Sequence, residues 1–110
     1  MGPGTDTASP VVALQMGSVR SATGAAQPVV VSLTRNAQVR VWTCDDGLCV
    51  GECRDVARVM DVALCMAVCT PPRGTSVAVV GGAAQDVCFV DVATRQLLAT
   101  CRVHNDWISH

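Results

Sequence analysis

The chain has 110 residues, half of them hydrophobic and 15% charged, with a formal net charge of −1. That balance excludes a disordered chain, which carries few apolar residues and many charges, and it leaves no global field to draw in nucleic acid or an anionic membrane. Two Trp, one Phe and no Tyr are too few for a base-stacking surface, so the expected partners include no nucleic acid and no membrane.

Residues 1–9 are rich in Gly, Pro, Thr and Ser and read as a flexible lead. Residues 10–16 form a first apolar run, and the Ser, Gly and Ala of 17–27 read as a loop. A strand is expected at 28–34, broken by Arg35, Asn36 and Ala37. The alternation through Val39, Arg40 and Val41 predicts a strand at 38–44 by its period of two. Asp45, Asp46 and Gly47 supply a turn, and 48–54 is the next strand. The second half repeats this order: an apolar strand at 59–68, a loop at 70–75, a strand at 76–80 and a turn region at 81–85. Strands at 86–92 and 97–103 follow, separated by a turn at 93–96. Short strands at this spacing predict an all-β meander.

The apolar runs at 29–33 and 77–80 are far shorter than the ~20 residues of a spanning helix. No basic region precedes residues 10–16, and Asp6 stands where an N-terminal acylation signal wants Ser or Thr. An intracellular, cytoplasmic setting is therefore expected.

The two halves are in register at a shift of 48 residues: Val29 falls on Val77, Val31 on Val79, Val39 on Val87, Val41 on Phe89 and Cys53 on Cys101. Carried upstream without a gap, the same shift places Val11 on Val59 and Val12 on Met60. A period in the forties with four strands per unit is the mark of a propeller blade.

The segment from Ser32 to Trp42 resembles the second and third strands of a WD40 repeat, with Asn36 in the place of the turn Asp and Thr43 in that of the Asp after the Trp. The second unit keeps that last Asp as Asp91, but has Val90 for the Trp, Ala84 for the turn Asp and Val56 for the loop His. His104, followed by Asn105, Asp106 and Trp107, is similar to a loop His and the start of another inner strand. The resemblance covers residues 10 to 110. It implies one blade at 10–54, a second at 55–103 and the start of a third at 104–110, in an incomplete β-propeller ring. Ser32, Asn36, Trp42, Asp91 and His104 are the structural motif residues it implies. In the family, a loop His, a strand Ser or Thr, the turn Asp and the Trp are linked by hydrogen bonds. Such a chain is tolerated in an interior only when fully satisfied.

Seven cysteines, Cys44, Cys49, Cys53, Cys65, Cys69, Cys88 and Cys101, are an odd number, so a fully paired disulfide framework within one chain is excluded. Cys49 and Cys53, like Cys65 and Cys69, are four apart. On a regular strand such residues face one side but lie ~13 Å apart, too far to share a metal. They are expected to be small buried hydrophobes. Gly81 and Gly82 follow an apolar strand but lack both a G-x-G-x-x-G pattern and a phosphate-binding Lys, so a hairpin turn is the expectation there. Cys101 and His104 are three apart, yet Cys53 has Val56 in the matching place, so the pairing does not recur. Asp45 and Asp46 lack further oxygen ligands nearby and fit a turn.

The sequence thus assigns no catalytic, cofactor-binding or metal-ligating residue. It predicts a non-catalytic scaffold for other proteins or peptides, within a larger propeller. A candidate interaction rim comprises Arg35, Asp55, Arg58, Asp86, Asn105 and Asp106. The rival expectations are a small Cys-rich metal-binding module and an enzyme, either as a propeller appendage or as an α/β nucleotide-binding fragment in which 59–68 is a helix.

Overall fold

The computed structural model describes residues 9–20, 23–72 and 75–102. Its strands are β1 (Val11–Arg20), β2 (Ala26–Thr34), β3 (Val39–Thr43), β4 (Cys49–Cys53), β5 (Ala63–Cys69), β6 (Val77–Gly82), β7 (Asp86–Asp91) and β8 (Gln96–Arg102), with one helical turn, α1 (Val56–Val59), between β4 and β5. They form two four-stranded antiparallel sheets, β1-β2-β3-β4 and β5-β6-β7-β8. Each is a meander in which every strand pairs with its neighbour in sequence. Residues 1–8 of the expected lead at 1–9 and the expected third unit at 104–110 lie outside the described residues.

Alternation dictates the faces. Val29, Val31 and Leu33 of β2 pair with Thr43, Val41 and Val39 of β3, and these five apolar residues are buried on one side of the first sheet. Their cover is the side of the second sheet formed by Met66, Ala78, Val80, Cys88 and Val90, all buried. Stiff β-branched side chains suit this arrangement because each loses little χ1 freedom on a pleated surface. Main-chain bonds join the sheets. The Ala63 amide donates to the Arg35 carbonyl (2.8 Å), and the Ser76 amide to the Ser18 carbonyl (3.1 Å). The Ser18 amide returns a bond to the Ser76 hydroxyl (2.8 Å), and Ser76 is fully buried.

The repeat is visible in the pairings themselves. All five β2–β3 pairs recur 48 residues later in β6–β7, from Val29 with Thr43 as Val77 with Asp91 to Leu33 with Val39 as Gly81 with Val87. The β3–β4 pairs recur likewise, including a bulge after Val41 that reappears after Phe89. The first strands break the rule. Val11 pairs with Thr34 and Ala13 with Leu33, whereas Ala63 pairs with Gly82 and Cys65 with Gly81. The counterpart of Val11 is therefore Ala63, not Val59, and the ungapped overlay fails upstream of β2. The second sheet has a first hairpin four residues shorter, and the residues displaced from it form the α1 turn and its flanks.

Four further expectations need correction. The strand expected at 59–68 begins only at Ala63; Val56 through Val59 coil as a single turn because Val56, fully buried, plugs the end of the core. The loop expected at 17–27 is mostly strand, with β1 reaching Arg20 and β2 starting at Ala26. Its small residues mark close approach rather than a turn: a Cβ on Gly17 would lie 3.1 Å from Ser76 Oγ and 3.2 Å from Val68 Cγ1. Gly81 and Gly82 belong to β6, not to a turn, and a Cβ on Gly82 would lie 2.9 Å from Met60 Sδ. The α/β alternative is overturned, since every described strand pairing is antiparallel.

Candidate interaction surfaces

Trp42, the penultimate residue of β3, lies on the side of the first sheet that faces away from the second. Its indole Nε1 donates to Ser32 Oγ at 2.9 Å, and Ser32 is buried. Asn36 does not join that pair. Its side-chain oxygen accepts from Thr34 Oγ1, and its backbone N–H donates to Ser9 Oγ. In the second sheet the equivalents of Ser32 and Trp42 are Val80 and Val90, both fully buried. A polar pair on the outer side of one sheet is thus replaced by hydrocarbon on the covered side of the other. Bare hydrocarbon needs no partner there, whereas a buried hydroxyl does.

Asp91 ends β7, one residue beyond Val90. Its carboxylate accepts from Thr75 Oγ1 (3.2 Å), from the Ala93 amide (3.1 Å) and from Thr94 Oγ1 (3.1 Å). The matching turn of the first sheet performs the same closure with the roles exchanged: Thr43 Oγ1 donates to Asp46 Oδ1, which also accepts from the Leu48 amide. Threonine and aspartate have swapped ends of the turn. These donors hold the Asp46 carboxyl below its usual range, the Thr43 hydroxyl contributing most.

Of the expected rim, Arg35, Asp55 and Arg58 are exposed. Arg58 and Asp55 approach to 3.7 Å, while the Arg35 backbone is committed to Pro10 and Ala63. Asp86, the first residue of β7, is buried and accepts from Arg102 Nε at 3.1 Å. Burial of a carboxylate is tolerated because that cation accompanies it. Asn105, Asp106 and His104 lie outside the described residues.

The opposite rim holds a feature that sequence reasoning missed. A cleft of about 320 Å³ opens where the two sheets diverge. Val29 and Val41 supply one wall and Val92 and Ala93 the other, with Asp45 and Arg95 at the lip. Arg95 adopts φ +57°, and Gly47, its counterpart 48 residues earlier, adopts φ +69°. Glycine meets that conformation freely, whereas a side-chain-bearing residue loses about 1 kcal/mol there. The arginine nevertheless occupies it and reaches across the cleft mouth to β4. Its Nε lies where a Cβ on Gly51 would be only 2.7 Å away, and its Nη1 donates to the Ala93 carbonyl at 2.6 Å. The signal was present in the overlay as an arginine standing where the other unit has glycine.

The cysteines depart from expectation. Cys53 and Cys88 are buried; Cys44, Cys49, Cys65, Cys69 and Cys101 are exposed, and all seven thiols are free. The bulge in β4 explains one surprise: Cys49 lies opposite Trp42 and Cys53 opposite Val39, so two residues four apart point to different faces. Burial pushes the Cys88 thiol up, and the neighbouring Asp86 charge adds to the shift. Among the described residues no group of three His, Cys, Asp or Glu side chains is placed to hold a metal ion, and no helix is long and apolar enough to cross a membrane. Comparison of the chain with protein-family models, curated proteins and solved structures gives no match.

Proposed function

We propose that this chain is a non-catalytic scaffold of the WD40 type, two neighbouring blades of a longer ring that present their rims to other proteins or peptides. The cleft between the sheets carries this reading. Its walls are partly apolar, its lip holds Asp45, Asp46 and Arg95, and both flanking turns are closed by their own threonine–aspartate bonds. A rigid, partly apolar recess with a few fixed polar groups suits an apolar side chain of a peptide. Loops on a stiff framework are where recognition is commonly placed. The WD40 resemblance is supported by the Ser32–Trp42 bond and by the 48-residue recurrence of the pairing.

Selection of displayed random peptides against the immobilised chain tests the proposal, with affinities measured by fluorescence anisotropy. Peptides sharing a motif are expected, weakened at least tenfold by Asp45→Arg, the equivalent of about 1.4 kcal/mol. A parallel variant, Arg35→Glu with Arg58→Glu, reports on the other rim. Failure to enrich any shared motif, or binding indifferent to both variants, would refute the scaffold reading.

A further inference from the structure

The charges at the mouth of the cleft are unequally committed. Asp45 and Asp46 belong to the turn after β3, and Arg95 to the turn after β7. The ion pairs of the described residues join Glu52 to Arg40 and Arg54, Asp55 to Arg58, and Asp86 to Arg102. Neither carboxylate of the lip is among them. Arg95 lines the same opening, yet it turns away from both: its Nη1 donates to the Ala93 carbonyl at 2.6 Å, and its Nε lies against Gly51.

The two carboxylates are held differently. Asp46 Oδ1 accepts from the Thr43 hydroxyl and the Leu48 amide, and bonds to the charged form keep that carboxyl ionised. Asp45 is exposed and has neither a hydrogen bond nor an ion pair among the described residues. Behind this lip lies hydrocarbon from both units, the buried Val29, Val41 and Val92. The volume, about 320 Å³, is at the lower end for a ligand site.

An occupant must suit both features. An acidic segment would bring like charge against two carboxylates that no cation offsets. A basic one gains an opposite charge at Asp45 and Asp46 without breaking any existing ion pair. We infer that the cleft takes a segment of another protein in which an apolar residue stands beside a lysine or arginine, the apolar side chain entering between Val41 and Val92 and the cation meeting Asp45 and Asp46. The inference deepens the peptide-scaffold reading and rests on it. The apolar recess supplies the contact area, while the charges at the lip select the partner and speed its approach.

Selection of displayed random peptides, followed by fluorescence anisotropy with synthetic copies of those enriched, tests it. The shared motif is expected to pair an apolar residue with a neighbouring lysine or arginine. Changing that basic residue to glutamine should weaken binding about fivefold, the scale of an exposed ion pair. Raising salt from about 0.1 M to about 1 M should erase the difference between the two peptides, since the screening length falls from about 10 Å to about 3 Å. Charge exchange then locates the contact: a glutamate version of the peptide should bind Asp45→Arg better than it binds wild type. Circular dichroism of Asp45→Arg should match wild type, because Asp45 bonds to nothing the fold needs. A shared motif that is neutral or acidic yet sensitive to Asp45→Arg would overturn this inference alone and leave the scaffold reading standing. So would a glutamine peptide that binds as tightly as the basic one. Absence of any shared motif would remove both.

Discussion

Replacing Gly51 by alanine probes the seam between the sheets at a single atom. Gly51 has no left-handed backbone to protect, so alanine fits its conformation. Alanine in a strand interior is favoured over glycine by about 0.7 kcal/mol. The added Cβ, however, would lie 2.7 Å from Arg95 Nε, 3.3 Å from Cζ and 3.4 Å from Cδ. The guanidinium must swing away and give up its bond to the Ala93 carbonyl. Loss of that bond, discounted for the partial exposure of Arg95, costs about 1 kcal/mol, and the displaced rotamer about 1 more. Gly51→Ala alone should therefore destabilise by about 1.3 kcal/mol. In an Arg95→Ala background nothing obstructs the methyl, and the same change should stabilise by about 0.7 kcal/mol. The coupling between the sites is then about 2 kcal/mol, measurable as a double-mutant cycle by urea denaturation. Additivity within about 0.5 kcal/mol would show that Arg95 does not lie over β4 and that the cleft mouth is built otherwise.

Val80→Thr puts a hydroxyl of nearly the same shape into a fully covered site and should cost about 2 kcal/mol in urea denaturation, whereas Val11→Thr, at an exposed position, should cost under 0.5. Thr43→Ala should destabilise by about 0.5–1 kcal/mol, and the exchange Thr43→Asp with Asp46→Thr, which copies the order found at Asp91 and Thr94, should recover most of that loss in the same assay. Glu52 is held below the usual glutamate range, first by the hydrogen bond from Arg54 and then by Arg40, against an opposing effect of burial. A lowered carboxyl pKa stabilises the fold above the unfolded value, about 4.3, and loses that contribution as pH falls from there through the folded value. Glu52→Gln should therefore flatten the fall in stability below about pH 5 by up to about 1 kcal/mol, followed as the melting midpoint against pH. Parallel curves for the two proteins would remove Glu52 from the acid response.

The legible part of the fold was the part governed by local rules. Alternation through Val39, Arg40 and Val41 located β3, and Asp45, Asp46 and Gly47 located the turn after it, because side-chain period and turn chemistry act within a few residues. The spacing of 48 between β2–β3–β4 and β6–β7–β8 was equally readable. Ser32 and Trp42, singled out from sequence, meet in a hydrogen bond. The errors fell where distant contacts decide. Gly17 and Ser18 looked like loop residues because small polar residues usually are, yet Ser76, far along the chain, holds them in a strand. The strand expected to start at Val59 starts only at Ala63, because Val56 is drawn into the core and the chain coils around it.

By itself, then, the amino-acid sequence determined that the chain is built of short strands in two similar units, since hydrophobic period and turn residues are local properties of a polypeptide. Which face of each unit is buried, which cysteines are covered, and where a cleft opens were decided only when one sheet stacked on the other. In the second sheet the outer and inner sides are equally apolar, Val77 and Val79 no less than Ala78 and Val80. Only contact between sheets makes the first pair a free surface and the second pair a core.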